Sequence, residues 1–342
     1  MTQPGDRAPA CYGVGTNGVF YSLEEQYGRA VVLILAGYAA APKLSGLMAE
    51  FHACQASFGA RDADVLLLVD DNPSLLGLGD GSAIRTIDAG DFLGRCGVGV
   101  SGSAVLVLDR NMRIVLRSNP SPTVVADCLA CLDALPREAA HAVSQPAPAI
   151  VLPHLLPRDL CRSLIDRFES SPTIDGEVAR IDAAGNARSV VDHAKKYRRD
   201  MPIAEHDALH QMLSETLLSR CAPEIAKAFQ ARIAHVDRIL VSRYDAQAGW
   251  FRRHRDNTAD NVAFREWALS LNLNTGDYEG GHLLFPEYNN HRYAPPTGGG
   301  LIFSTSVLHE AAPVTLGRRY VLLTFFHSEA AEARRQAYFA KT

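Results

Sequence analysis

The chain has 342 residues, 47% of them hydrophobic and 21% charged, which suits a soluble protein of two ordinary domains. Its formal net charge of −4 gives no electrostatic grip on nucleic acid or an anionic membrane, and no apolar run reaches the ~18 residues a membrane helix needs. The opening stretch MTQPGDRAPACYGVG lacks the basic and apolar regions of a signal peptide, and seven scattered cysteines do not make a disulfide framework, so a cytoplasmic protein with reduced thiols is expected.

In chain order, short β-branched apolar runs come first: AVVLILAG (30–37), DVLLLVDD (64–71) and SAVLVLD with MRIVLRS (103–118). Continuous apolar runs of this length predict strands buried on both faces. Between them PKLSGLMAEFHACQASFG (42–59) has helical spacing, and PTVVADCLACLDAL (122–135) repeats it after a hairpin around DRN (109–111). This order predicts an α/β domain over 1–138. A Pro- and Ala-rich stretch at 139–149 reads as a linker. The second domain, 150–342, opens with helices at 156–171 and 207–230, then turns to strands: VDRILVSRYD, WALSLNLN, GGHLLFPEY, GLIFSTS and RRYVLLTFFH. Successive strands punctuated by Gly, Asn, Asp and Pro predict a sandwich or barrel.

Several motifs compete for attention. HRDNTADN (254–261) fits the kinase catalytic-loop pattern, and GVGTNGVF (13–20) nearly fits the kinase glycine loop. No lysine follows on RAVVLILAG, no D-F-G follows HRD, and the ensuing segment is strand-rich where a kinase lobe is helical, so the kinase reading fails. GVGTNGVF and GVGVSG (97–102) both lack the strand–turn–helix setting of a dinucleotide site and read as turns. Cys128-Leu-Ala-Cys131 lies inside the closing helix instead of at a helix N-terminus, where a thiolate is stabilised, and reads as two packed thiols.

His254 and Asp256 form an H-x-D pair, and residues two apart on a strand point the same way. With His309, 53 positions beyond Asp256, they would complete a 2-His-1-carboxylate triad, which holds Fe(II) by one face and leaves the other open. Oxygenases with such sites use 2-oxoglutarate, whose far carboxylate needs a buried cation; Arg319, ten residues after His309, offers a bidentate fork.

The segment HEAAPVTLGRRYVLLTFF (309–326) resembles the H-x-x-x-P-V-x-x-G-x-[R/K] signature of the prolyl-4-hydroxylase-like Fe(II)/2-oxoglutarate dioxygenases. RYDAQAGWFRRHRDN (243–257) is similar to that family's Y-x-x-G…H-x-D region, and LSLNLN with GGHLLFPEY to its strand, Gly-Gly turn and F-P element. The resemblance covers roughly 150–328 and implies a double-stranded β-helix (jelly roll) preceded by helices. It implies His254, Asp256 and His309 as metal ligands and, with Arg319, as the catalytic set. It further implies Arg319, Tyr244 and Asn272 as 2-oxoglutarate contacts, O2 as second cosubstrate and L-ascorbate as a candidate reductant. Leu323 departs from the pattern, standing where some members place a threonine against the cosubstrate.

PGDRAPAC (4–11), YSLEEQYGRAVVLIL (21–35) and VLVLDRNMRIV (105–115) resemble the thioredoxin-fold peroxiredoxins, but AGYAAAPKLSG (36–46) has no cysteine where that family keeps its peroxidatic one. The expected fold is therefore a thioredoxin-like α/β domain without peroxidase chemistry, followed by a mainly β jelly roll. The expected activity is hydroxylation of a C–H bond in a peptidyl residue, amino acid or small metabolite, with release of succinate and CO2. The first domain would be a scaffold for a partner contact or dimerisation. Two alternatives remain: thiol redox chemistry centred on Cys54, and a non-catalytic binding module. Arg252, Arg253 and Arg255 are candidates for attracting an acidic substrate, or plain surface arginines.

Overall fold

The computed structural model describes residues 2–16, 18–26, 28–70, 84–136, 145–181 and 187–340. The chain divides into two compact units, Met1–Ala140 and His141–Thr342. Among the described residues no helix is long and apolar enough to cross a membrane.

The first unit is built on a seven-stranded sheet. Its central strand Ala30–Ala36 runs parallel to Ala63–Val69 and antiparallel to Ser103–Leu108. Val31, Leu33 and Leu35 enter one core, while Val32 and Ile34 enter another with Met48, Phe51 and Cys128 from the helices. Burial on both faces is why this strand is apolar throughout. The helix expected over 42–59 is instead broken into Ala41–Leu44, Ser45–Ala53 and Gln55–Gly59, consistent with the weak helix formers Ser45, Gly46, Cys54 and Ser57. The described ends of GVGTNGVF belong to two paired antiparallel strands, Tyr12–Gly15 and Phe20–Ser22. A Cβ on Gly13 would sit 1.9 Å from the Asp88 carbonyl oxygen, so close strand approach accounts for that glycine without any ligand.

The second unit pairs two sheets as a double-stranded β-helix. The larger runs Ala149–Leu152, Gly300–Ser304, Trp267–Asn272, Val314–His327, Ile239–Asp245, Arg199–Ile203 and Ile174–Asp175. The smaller runs Lys196–Tyr197, Trp250–His254, His309–Ala311 and Leu283–Leu284. Alternation along Val314–His327 divides its side chains. Tyr320, Leu322 and Phe326 pack outward on the helices Arg158–Ser170 and Ala208–Phe229, while Val321 and Phe325 turn inward with Tyr244, Ala268 and Phe303. Ala149, the last residue of the stretch read as a linker, already pairs with Phe303. Beyond the expected elements the structure adds a hairpin, Glu177–Ile181 with Ala187–Val191, the strands at 196–203, and a helix Glu329–Phe339 capped by Ser328.

Candidate metal centre

Strand pairing assembles the site. Trp250–His254 lies antiparallel to His309–Ala311, with His254 directly opposite His309. Asp256 does not share the strand with His254, as simple alternation would have it. It sits in the following turn, where its N–H donates to the Thr305 carbonyl at 2.9 Å and brings its carboxylate back toward the histidines. Asp256 Oδ1 is 3.4 Å from His254 Nε2, and its Oδ2 is 3.4 Å from His309 Nε2.

The histidine tautomers follow from their partners. His254 Nδ1 donates to the Arg252 carbonyl at 2.8 Å, and His309 Nδ1 donates to the Val307 carbonyl at 3.0 Å. A carbonyl only accepts, so each Nδ1 carries a proton and each ring turns its Nε2 toward Asp256. Burial pushes His309 down to about 4, opposed by the charge of Asp256, so this ring is neutral at physiological pH. Burial alone would raise the Asp256 carboxyl, yet His309 and His254 beside it hold it well below the usual carboxylate range. One carboxylate oxygen and two imidazole nitrogens, all within 4.8 Å of one another, fit a non-haem ferrous ion. His235, His327 and Glu332 also converge, but there His327 Nε2 is bonded to Glu332 at 2.7 Å and His235 Nε2 to Glu329 at 2.9 Å.

These ligands line a cavity of about 310 Å³. Phe251 stacks on His254, and Phe303 packs against His309 at a tilt of 60°. Arg319 reaches the cavity from Val314–His327 and is only 2% exposed. Its Nη2 donates to Asn272 Oδ1 at 2.9 Å, and its guanidinium lies 5.4 Å from the centre of the Tyr244 ring. No described residue accepts from its Nε. With Ser270 Oγ at 3.4 Å, the partners found for this buried cation among the described residues are all neutral, an arrangement that calls for an anion. Asn272 also donates to the Pro295 carbonyl at 2.9 Å, so it anchors Arg319. The Tyr244 hydroxyl accepts from Arg198 Nη1 at 2.9 Å.

Arg198 belongs to a charged set that sequence reasoning missed. It pairs with Asp200 at 2.7 Å, Asp200 accepts from Ser242 Oγ at 2.6 Å, and Lys196 Nζ lies 3.7 Å from the same carboxylate. Burial, then the charge of Arg198, lowers the Lys196 ammonium well below its ordinary value. The only available signal was the alternation Lys196, Arg198, Asp200, which is easily taken for a solvated strand edge.

The arginines around the H-x-D pair are engaged elsewhere. Arg252 Nε donates to the Ala194 carbonyl at 2.6 Å, Arg253 pairs with Glu310 at 3.3 Å, and Arg255, at the cavity wall, pairs with Glu287 at 2.6 Å. Asn261, which completed the kinase pattern, lines the cavity from a short 3-10 turn, Asp260–Val262.

No model of a known protein family matches the chain. A PKHD-type hydroxylase of Nitrobacter winogradskyi is 26% identical over 163 residues, which cover 44% of this chain and 71% of that protein. A prolyl-4-hydroxylase structure from Pseudomonas putida aligns with 54% of this chain and 94% of its own, at 20% identity and a TM-score of 0.41. Peroxiredoxin Q of Xanthomonas campestris aligns with 36% of this chain and 90% of its own, at 16% identity and a TM-score of 0.31. By its own strand order, the chain carries a thioredoxin-like α/β domain in its first unit and a double-stranded β-helix in its second.

Proposed function

We propose that the second unit is an Fe(II)- and 2-oxoglutarate-dependent dioxygenase that hydroxylates an unactivated C–H bond of a small metabolite, amino acid or peptidyl residue. One observation carries this reading: three donors converge with their imidazoles aimed by backbone carbonyls, and a buried guanidinium without a carboxylate partner faces the same cavity. His254, Asp256 and His309 would hold the iron by one face. Bound there with 2-oxoglutarate, it supplies oxygen activation coupled to decarboxylation of the cosubstrate to succinate and CO2.

This chain's residues bind, orient and exclude water. Arg319 would take the far carboxylate of 2-oxoglutarate, with Asn272 holding the guanidinium in place. Because the Tyr244 oxygen already accepts from Arg198, its own proton is free to be donated to an anionic ligand. Phe251, stacked on His254, and Phe303, packed beside His309, would help keep water from the centre. The first unit would serve as a scaffold for a partner or a second copy. Burial pushes Cys128 up to about 12 and Cys131 up to about 11, leaving that pair protonated at neutral pH. Peroxide consumption by the reduced chain, lost in Cys54→Ser, would restore the thiol alternative.

The decisive measurement is anaerobic addition of Fe(II) and 2-oxoglutarate, followed by the visible metal-to-ligand absorption band. Wild type should give the band and His309→Ala should not. A wild type without the band, or a His309→Ala variant that keeps it, removes the assignment.

A further inference from the structure

The cavity wall carries eight cationic side chains and three acidic ones, in a chain whose formal net charge is −4. Most of these cations already have an acid in contact. Arg198 meets Asp200, Arg255 meets Glu287, Arg265 meets Asp237 at 2.7 Å, and Arg335 meets Glu332 at 3.1 Å. Arg319 and Arg238 are the two arginines of the wall for which no carboxylate contact is found among the described residues.

Arg238 stands one residue before the strand Ile239–Asp245. Alternation puts it on the face that carries Leu240, Ser242 and Tyr244. Leu240 and Tyr244 line the cavity with it, and Ser242 bonds to the interior Asp200. Its guanidinium lies 5.9 Å from the centre of the Phe325 ring, and Arg265 covers the same ring at 4.1 Å. Arg265 is held by Asp237 in an ion pair, whereas Asp237 and Asp200 act on Arg238 only through space, without an ion-pair contact among the described residues. Burial pulls Arg238 down to about 10, helped by the like charges of Arg265 and Arg198, so an anion docking there would relieve a strained cation.

Position separates this group from the cosubstrate anchor. Tyr244 is the cross-strand partner of Arg319, and Arg238 lies six residues up the strand from Tyr244. At about 3.3 Å per residue that is roughly 20 Å of strand, far more than the five-carbon length of 2-oxoglutarate. The two arginines therefore leave the backbone at different levels of the cavity wall. The neighbouring Arg265 acts electrostatically on Asp256 as well as on Arg238, which keeps the second anchor near the ligand cluster.

We propose that Arg238 is the substrate anchor of the cavity: it takes the carboxylate of a small acidic molecule and so presents that molecule's C–H bond to the His254–Asp256–His309 cluster. This inference rests on the dioxygenase reading and narrows its substrate class, favouring a free carboxylate-bearing molecule over an internal peptide residue. The guanidinium fork suits a carboxylate, which accepts two parallel N–H bonds.

The test uses the full-length, metal-free chain. Free amino acids and short aliphatic acids, each matched with its own carboxamide, are titrated and followed by saturation-transfer NMR. At least one acid should bind about ten- to a hundredfold more tightly than its amide, the range for a lost charge-assisted pair. That preference should survive Arg319→Gln and vanish in Arg238→Gln. Arg238→Lys, which keeps the charge and removes the fork, should retain part of it and also guards against a folding defect. Equal binding of acids and amides, no binding by any acid, or a preference that survives Arg238→Gln overturns the proposal. The absorption band with Fe(II) and 2-oxoglutarate is recorded separately. Its absence alongside an Arg238-dependent preference removes the dioxygenase reading alone, and its presence without that preference removes the anchor alone.

Discussion

Asn272 uses both ends of its amide for positioning: Oδ1 accepts from Arg319 Nη2, and Nδ2 donates to the Pro295 carbonyl. In Asn272→Ala the guanidinium keeps Ser270 Oγ, at 3.4 Å, as its remaining hydrogen-bond partner. If Arg319 anchors 2-oxoglutarate, this variant should raise the KM for 2-oxoglutarate about tenfold with little change in kcat, and Arg319→Leu should raise it about a hundredfold. Steady-state kinetics with 2-oxoglutarate varied would decide, and an unchanged KM in both variants would detach Arg319 from the cosubstrate. The spacing from His309 to Arg319 made Arg319 legible in the sequence. Its neutral company of Asn272, Ser270 and Tyr244 was not, because those contacts join strands far apart in the chain.

The strand Val314–His327 sorts its side chains between two cores, so substitutions along it should separate by face. Leu322 is fully buried under the helices, whereas Leu316 on the same strand is 60% exposed. Leu322→Ala should cost about 2–5 kcal/mol of unfolding free energy and Leu316→Ala less than about 0.5 kcal/mol, both measured by urea denaturation. On the closing helix Val124–Asp133, burial raises the Cys128 thiol from its ordinary 9.0 to about 12. Above pH 9 the unfolded chain releases a proton that the folded chain keeps, so stability falls as pH rises, by roughly 1.4 kcal/mol per pH unit for each such thiol. Denaturation under reducing conditions at pH 8 and pH 10 should show this loss, and Cys128→Ala should reduce it. The apolar elements were readable because their period of two or 3.6 marks a buried face. Lys196–Tyr197 and Arg199–Ile203 were not, because Lys196, Arg198 and Asp200 invert the usual rule and point charges inward, where only the mutual pairing in the folded state makes them tolerable. Asp256 was identified by its spacing from His254, but the turn that aims it depends on a bond to Thr305 that no local pattern announces.

At the scale of the whole molecule, a chain of net charge −4 encloses a cavity wall with eight cations and three acids. Dianionic 2-oxoglutarate would thus approach an acidic body through a locally basic entrance. Its kcat/KM should fall several-fold as ionic strength rises from about 0.05 to 0.5 M, since screening shortens the reach of that entrance below about 10 Å. Steady-state measurements in a chloride series would check this, and a flat profile would show that the wall does not steer. Architecture has a second consequence at this scale, in time instead of charge. Val314–His327 is a central strand of the nine-stranded large sheet and is nearly the last to be synthesised. All strands of the first unit are complete by residue 118, so that unit can fold while the rest is still being made. The second unit must wait. Until residue 327 has emerged from the ribosome, the strands on either side of the missing centre have no partner there, and their bare edges stand open to other chains. Protecting those edges during synthesis is therefore part of what this topology demands of the cell.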